Sequence, residues 1–496
     1  MQRKKKFLLN TVTSLTLQLT TVFCGLILPK LFIETFGSEV NGFISSISRF
    51  LSVIVLMEAG VGAVIQSNLY KPIADNDLDQ ISRIVTSGKK FYQRIACILL
   101  IYVLFLTAFF LFITGENFSW LYSSVLIISI SISTFGQYLF GIMDQTFLNA
   151  AQFGYISSII RIFVLILNLV ISIVLMKSGA SVHLVKLASS IVFLVQPFAT
   201  RIAVNRKYKI NRRMKYEGEP IKQKWNGFAQ HLSYVVLEDT DTIVLTFFST
   251  LSNVSIYSVY NGVIYGVKQL IQAVTKGTQS LMGDMIAREE KEKLADFYGA
   301  FEYAVHMMTV FAFSCIGILI IPFVEVYTVG INDANYIQPI FATLLTVANA
   351  MHTIRIPFNV AIMAGGHYKQ TQPCYVVAAL INVFVSIIAV FFWGLVGVAV
   401  GTMAAMFYQT VWMAVYISKN IILWPIKEFI KKVAADMFVV MIISFVCVPF
   451  SMGEVTFISW IFLAAKVAVV ALAVISVISV CFFRKEIKYF LKIIKP

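Results

Sequence analysis

Asn41-Gly-Phe-Ile-Ser-Ser-Ile-Ser-Arg49 has a counterpart 220 residues further on, Asn261-Gly-Val-Ile-Tyr-Gly-Val-Lys-Gln269. Both copies lie within long apolar stretches, so the chain reads as two matched halves, each with a polar stripe and a cation at membrane depth. The offset also carries into the stretch before each copy. There His231, Tyr234, Glu238 and Asp241 are spaced by three, four and three residues, which puts them on one helical face. Subtracting 220 gives Thr11, Ser14, Gln18 and Thr21, again polar. Likewise Asn261, Tyr265, Lys268 and Gln272 map to Asn41, Ser45, Ser48 and Ser52. A further pair, Asn168-Leu-Val-Ile-Ser172 and Asn382-Val-Phe-Val-Ser386, is offset by 214, as a net deletion of six residues in the loops would produce.

Composition sets the solvent. With 58% hydrophobic and 13% charged residues and a mean hydropathy of +0.82 over 496 residues, a soluble fold would leave too much apolar surface wet. The reading is an all-α polytopic membrane protein of about fourteen transmembrane helices, each needing roughly 20 apolar residues. The N-terminus is placed in the cytoplasm. Of the 40 Lys and Arg, 31 then fall on the cytoplasmic side, Lys30 and Lys177 outside, and seven within spans (Arg49, Arg161, Lys186, Lys268, Lys276, Arg355, Lys466). That asymmetry follows the positive-inside rule and assigns the net charge of +15 to topology and anionic lipids rather than to nucleic acid. Residues 1–204 form a six-helix lobe, 205–226 a cytoplasmic linker, 227–417 a second six-helix lobe, and 418–496 an extra helix pair with a basic cytoplasmic tail. Six is even, so the lobes enter the membrane in the same direction and form a parallel repeat. Met1 to Lys6 lead into a stretch too long for a signal h-region, so the first helix is expected to be retained.

Charged groups inside a bilayer are costly and mark functional sites by default. Arg49, Lys268, Lys276 and Arg355 are the candidate anion-binding cations, with Asn41, Ser45, Ser52, Asn261 and Gln272 lining the same stripes. Glu238, Asp241 and His231 are the candidate ion-coupling groups, with H+ or Na+ as the coupling ion. The plainer alternative is that Glu238 or Asp241 ties two helices through a Lys. Arg161, Lys186 and Lys466 show no pattern, Glu58 is expected to pair with a basic loop residue, and His306 and His367 read as structural. The six cysteines stand singly, without metal or redox spacing. No P-loop, GxSxG or HExxH motif occurs, so the chain is not read as an enzyme, and no cofactor is expected.

Leu28-Pro29, then Phe36-Gly37-Ser-Glu-Val-Asn41-Gly42, Glu58-Ala-Gly-Val-Gly62 and Tyr70-Lys71-Pro72 resemble the polysaccharide repeat-unit flippases of the multidrug/oligosaccharidyl-lipid/polysaccharide exporter superfamily. The layout of two six-helix bundles and two extra helices extends this resemblance over the whole chain. It implies a V-shaped, two-lobed carrier in a bacterial cell membrane, moving an undecaprenyl-pyrophosphate-linked oligosaccharide to the outer leaflet by alternating access. The expected partners are that lipid-linked substrate and membrane lipids, with a polysaccharide polymerase and glycosyltransferases as pathway neighbours. The chain departs from relatives in concentrating acids in span seven. A cation-coupled multidrug antiporter and a lipid-linked peptidoglycan precursor flippase of the same superfamily remain open alternatives. A major-facilitator carrier shares the six-plus-six plan, yet its acidic and basic signature is missing from Gln66 to Ser82.

Overall fold

A computed structural model describes residues 3–58, 61–114, 118–212, 214, 218, 221, 239–275, 278–422, 425–484 and 486. They form fourteen helical columns, with no strand among the described residues. Those of the first half are α1 (Arg3–Phe36), α2 (Ser38–Ser52, Val55–Glu58 and Val61–Ala74), α3 (Leu78–Thr114), α4 (Trp120–Gly136, continuing to Ala150), α5 (Gly154–Lys177) and α6 (Val182–Lys207). The second half holds α7 (239–248), α8 (Leu251–Thr275 and Thr278–Ala287), α9 (Lys291–Tyr327), α10 (Pro339–Ile354 and Ile356–Ala364), α11 (Tyr368–Trp393) and α12 (Leu395–Asn420). Finally come α13 (Ile426–Cys447) and α14 (Phe457–Phe482).

Local chemistry sets many of the ends. Ser119, Ser181 and Thr456 cap α4, α6 and α14, each side chain accepting from the backbone N–H three residues on. Gly37 (φ 89°) and Gly394 (φ 52°) are the single-residue links between α1 and α2 and between α11 and α12, in conformations that other residues rarely adopt. The polar stretch over 66–90 is helical on both sides of a short turn: α2 runs to Ala74 and α3 begins at Leu78. Nine helices are long and apolar enough to cross a membrane among the described residues. The others fall short for visible reasons. Columns α2 and α10 are interrupted, only parts of α7 and α8 are described, and α13 carries Lys427, Glu428, Lys431, Lys432 and Asp436.

The chain divides into two compact units, Met1–Val235 and Val236–Pro496. In the first, α1 lies on α5, α5 on α6, α6 on α4 and α4 on α3. The second repeats that order, α11 on α12, α12 on α10 and α10 on α9, and adds α13 and α14 against α9. The parallel repeat is therefore a repeat of packing. The start of the linker is held to the first unit: Arg212 pairs with Asp144 at 2.7 Å, Asn211 N–H donates to Ser82 Oγ, and Tyr208 sits edge-on to Phe147.

On α5 and α11 the outer face is apolar and polar side chains are turned inward. On α11, Phe384, Ile388 and Phe391 are exposed while Asn382 and Ser386 are fully buried, and on α5 Asn168 and Ser172 are buried in the same way. Small residues let α11 and α12 approach closely, as membrane helices favour. A Cβ on Gly401 would collide with Ser386 Oγ and lie 2.7 Å from its backbone N, and one on Gly397 would run into the Ala389 carbonyl. Gly401→Ala should therefore cost about 1–3 kcal/mol from overpacking and lower Tm of the purified protein. Gly453→Ala, where nothing lies within 4 Å, should leave Tm unchanged.

Candidate functional site

Cations come together inside the second unit. Lys268 on α8 is 3% exposed and Arg355 is 2% exposed. Arg355 stands at the break in α10, just ahead of Pro357, whose ring displaces the helical hydrogen-bond ladder. Its Nη2 lies 3.1 Å from His352 Nδ1 and its Nη1 3.5 Å from Met406 Sδ. His352 is within electrostatic reach of both Lys268 and Arg355, and the Lys268 ammonium lies 5.2 Å from the Tyr265 ring centroid. Lys268 and Arg355 on either side of His352 form a place where a multiply charged anion would be stabilised.

Oxygens gather elsewhere in the same unit. Asp241, 3% exposed, accepts from Thr402 Oγ1 at 2.7 Å and from Tyr257 OH at 3.1 Å. Thr402 Oγ1 is also 3.1 Å from Val398 O, and Ser386 Oγ lies 3.4 Å from that carbonyl and 3.0 Å from Asn382 Oδ1. Asn382 Nδ2 is buried with no hydrogen-bond partner among the described residues. One carboxylate, one amide oxygen, one backbone carbonyl and two hydroxyls, drawn from α7, α11 and α12, make an all-oxygen set of the kind that hard cations prefer. Among the described residues there is no group of three or more His, Cys, Asp or Glu that could hold a metal ion.

The remaining sequence candidates are dispersed. On α2, Asn41 is buried, while Ser45, Arg49 and Ser52 are half-buried, with Ser52 Oγ donating to Arg49 O at 2.6 Å. Asn261 and Gln272 are half-buried on α8. His231, Glu238 and Lys276 lie outside the described residues. Glu58 differs from expectation: it accepts from Tyr92 OH at 3.2 Å rather than meeting a loop cation. Sequence reasoning did not link Asn382, Ser386 and Thr402 to Asp241, although Asn382 and Ser386 had already been singled out by the repeat. It also missed His352, three residues before Arg355.

No family model matches the chain, and no curated protein matches it either. Solved structures do. A lipid II flippase MurJ in an inward closed conformation superposes with a TM-score of 0.74 at 15% identity, covering 97% of this chain and 100% of that one. An inward-facing multidrug resistance MATE family transporter of the MOP superfamily gives a TM-score of 0.61 at 14% identity, over 82% of this chain and 98% of that chain. A mutant of the Vibrio cholerae MATE transporter VcmN gives 0.59 at 13% identity, over 84% of this chain and 97% of that chain. These likenesses are of fold.

Thr402→Val removes a hydroxyl that donates to Asp241 and leaves a buried carboxylate short of a donor, at a cost of about 1–3 kcal/mol. Thermal denaturation of the full-length protein should show a fall in Tm that Thr402→Ser largely avoids.

Proposed function

We propose that this chain is a transporter that flips an undecaprenyl-pyrophosphate-linked oligosaccharide repeat unit from the cytoplasmic to the outer leaflet of a bacterial cell membrane, for surface polysaccharide biosynthesis. The observation that carries the reading is the buried Lys268–His352–Arg355 group inside a fold shared with a lipid flippase and with multidrug transporters. Buried cations suit a pyrophosphate head, and Arg grips paired oxygens where Lys supplies a point charge. Arg49 is the cation that the first half contributes. With both termini cytoplasmic, the membrane potential assists export of an anion by about 2.3 kcal/mol per charge per 100 mV. A head group with about two charges gains roughly 4 to 5 kcal/mol per 100 mV.

The coupling ion belongs to the oxygen set around Asp241, and Na+ or H+ is the chemistry it would take. A cation that binds only the folded state raises stability as its concentration rises. Tm of the wild type should therefore climb with Na+ at constant ionic strength in choline, and Asp241→Asn should abolish the climb. A Tm indifferent to Na+ but responsive to pH through Asp241 would make the proton the coupling ion.

A second reading has its own support. The match to MurJ spans 97% of this chain, whereas the MATE matches stop at 82–84%, which favours a flippase, including one for the peptidoglycan precursor, over a drug antiporter. Complementation separates the three. Rescue of a strain lacking its repeat-unit flippase, lost in Arg49→Ala/Lys268→Ala and in Arg355→Ala, supports the repeat-unit reading. Rescue only of a strain depleted of its lipid II flippase moves the substrate to the peptidoglycan precursor, and drug resistance alone makes the chain an antiporter.

A further inference from the structure

At one end of the first unit two lysines gather on a single aromatic ring. Phe153 lies in the turn between α4 and α5, and its ring centroid is 3.9 Å from Lys6 Nζ of α1 and 3.7 Å from Nζ of Lys207, the last residue of α6. The electron-rich face of an aromatic ring attracts an ammonium group. The two ammonium groups are thus no farther apart than those two distances laid end to end. Neither lysine belongs to the sites described above.

The turn is built to hold that ring. Gln152 adopts φ 60°, a left-handed conformation that residues with side chains seldom take. Asn10 of α1 bridges both sides of Phe153: its Nδ2 donates to Gln152 O at 3.2 Å, and its Oδ1 accepts from Tyr155 N–H at 2.6 Å. Just beyond Lys207, Tyr208 packs edge-on to Phe147 of α4, which fixes the end of α6 beside the same turn. Asn10 already takes the Tyr155 N–H, so the positive charge gathered here comes from the side chains rather than from the start of α5.

The segments that build this corner carry no acid to answer the charge. Residues 1–33 and 145–216 contain no Asp or Glu. Asp144, just ahead of the second stretch, is taken by Arg212 at 2.7 Å, and its further electrostatic neighbours are Arg201 and Lys89. Neither Lys6 nor Lys207 has an ion pair or hydrogen bond among the described residues. Two like charges held so close repel each other, and an anion that touches both replaces the repulsion with charge-assisted hydrogen bonds.

Three membrane-crossing stretches end at this place. That of α1 begins at Leu8, two residues after Lys6, that of α5 begins at Gly154, next to Phe153, and that of α6 ends at Lys207 itself. This is the level of the lipid head groups, where aromatic and basic side chains collect at the ends of crossing helices. Leu8 and Ile202, within two turns of the lysines along α1 and α6, are apolar and exposed.

We propose that Lys6, Lys207 and Phe153 form a binding site for the phosphate of an anionic phospholipid, drawn from the leaflet that this end of the unit meets, with its acyl chains on the apolar surface of α1 and α6. Basic pockets between membrane helices hold anionic head groups through such contacts. The bound phosphate bridges α1 and α6 across the turn. This inference does not depend on which substrate the chain carries.

Native mass spectrometry of the full-length protein, titrated with phosphatidylglycerol in a neutral detergent, reads the occupancy of the first bound lipid. Lys6→Gln/Lys207→Gln should raise the half-saturating lipid concentration by on the order of 25-fold, about five-fold for each lysine. Lys6→Gln alone, at the start of α1, should cost about five-fold and serves if the double variant fails to fold. Arg206→Gln/Lys209→Gln removes the same charge from the same end without touching the ring, and should leave the first occupancy unchanged. Phosphatidylcholine should not compete for the site, nor should inorganic phosphate, which lacks acyl chains. An unchanged titration in the Lys6 and Lys207 variants, an equal loss in the Arg206/Lys209 variant, or displacement by phosphatidylcholine or inorganic phosphate would overturn the proposal.

Discussion

A hydroxyl, amide or carboxylate placed inside a bundle of apolar helices has no water to turn to, and the architecture follows from where each such group finds a partner. Most find one within their own helix. Ser131, Thr200 and Thr246 each bond the carbonyl four residues earlier, a local solution that says little about function. Thr402 takes that solution with Val398 O and also reaches α7 at Asp241. The groups that leave their helix for a partner tie neighbouring helices together, as Tyr102 OH does at Phe50 O and Tyr260 OH at Tyr336 O.

Interruptions of the helices serve the same end. The break at Arg355 turns a guanidinium inward at a point where an unbroken α10 would have offered only its regular face. In the first unit α2 is interrupted at Val53 and Ile54, and α4 widens into a π-turn over Gln137–Gly141. A Cβ on Gly141 would lie 2.9 Å from the Pro197 Cβ of α6, so the widened turn sits where a proline-bearing neighbour comes close. Such π-turns and broken spans gather at functional places because they free backbone groups that a regular helix would consume.

Depth was legible in the sequence and azimuth only partly so. Hydropathy and the distribution of Lys and Arg were enough for about fourteen helices and a parallel repeat, since both depend on how far along the chain a residue lies. The polar stripe of α8 was also readable, because Asn261, Lys268 and Gln272 keep helical spacing. Which helix a stripe faces is set by tertiary packing, and there inference failed. Lys432 was counted with the basic flank of a turn, yet it is buried against Glu302. His306 read as a lone histidine, although Glu302 one turn before it and the matching pair Lys432 and Asp436 form a pattern visible only once α9 and α13 are known to touch. Pro357 was the available signal for the break that positions Arg355.

The duplicated frame explains why one half can hold what the other cannot. Asn168 and Ser172 on α5 occupy the places of Asn382 and Ser386 on α11, and all four are buried. In the second unit Asp241 meets the oxygens of α12 beside that pair. In the first unit the helix in the place of α7 is α1, which carries no Asp or Glu before Glu34, and at Thr21 the hydroxyl bonds back to Leu17 O. The amide and hydroxyl are thus common scaffolding, able to hold α5 to its neighbours through neutral contacts alone. A cation needs a formal negative charge to offset its dehydration, and among these matched positions the described structure places that charge only in the second unit. A single carboxylate thus distinguishes the two halves, while their packing stays alike.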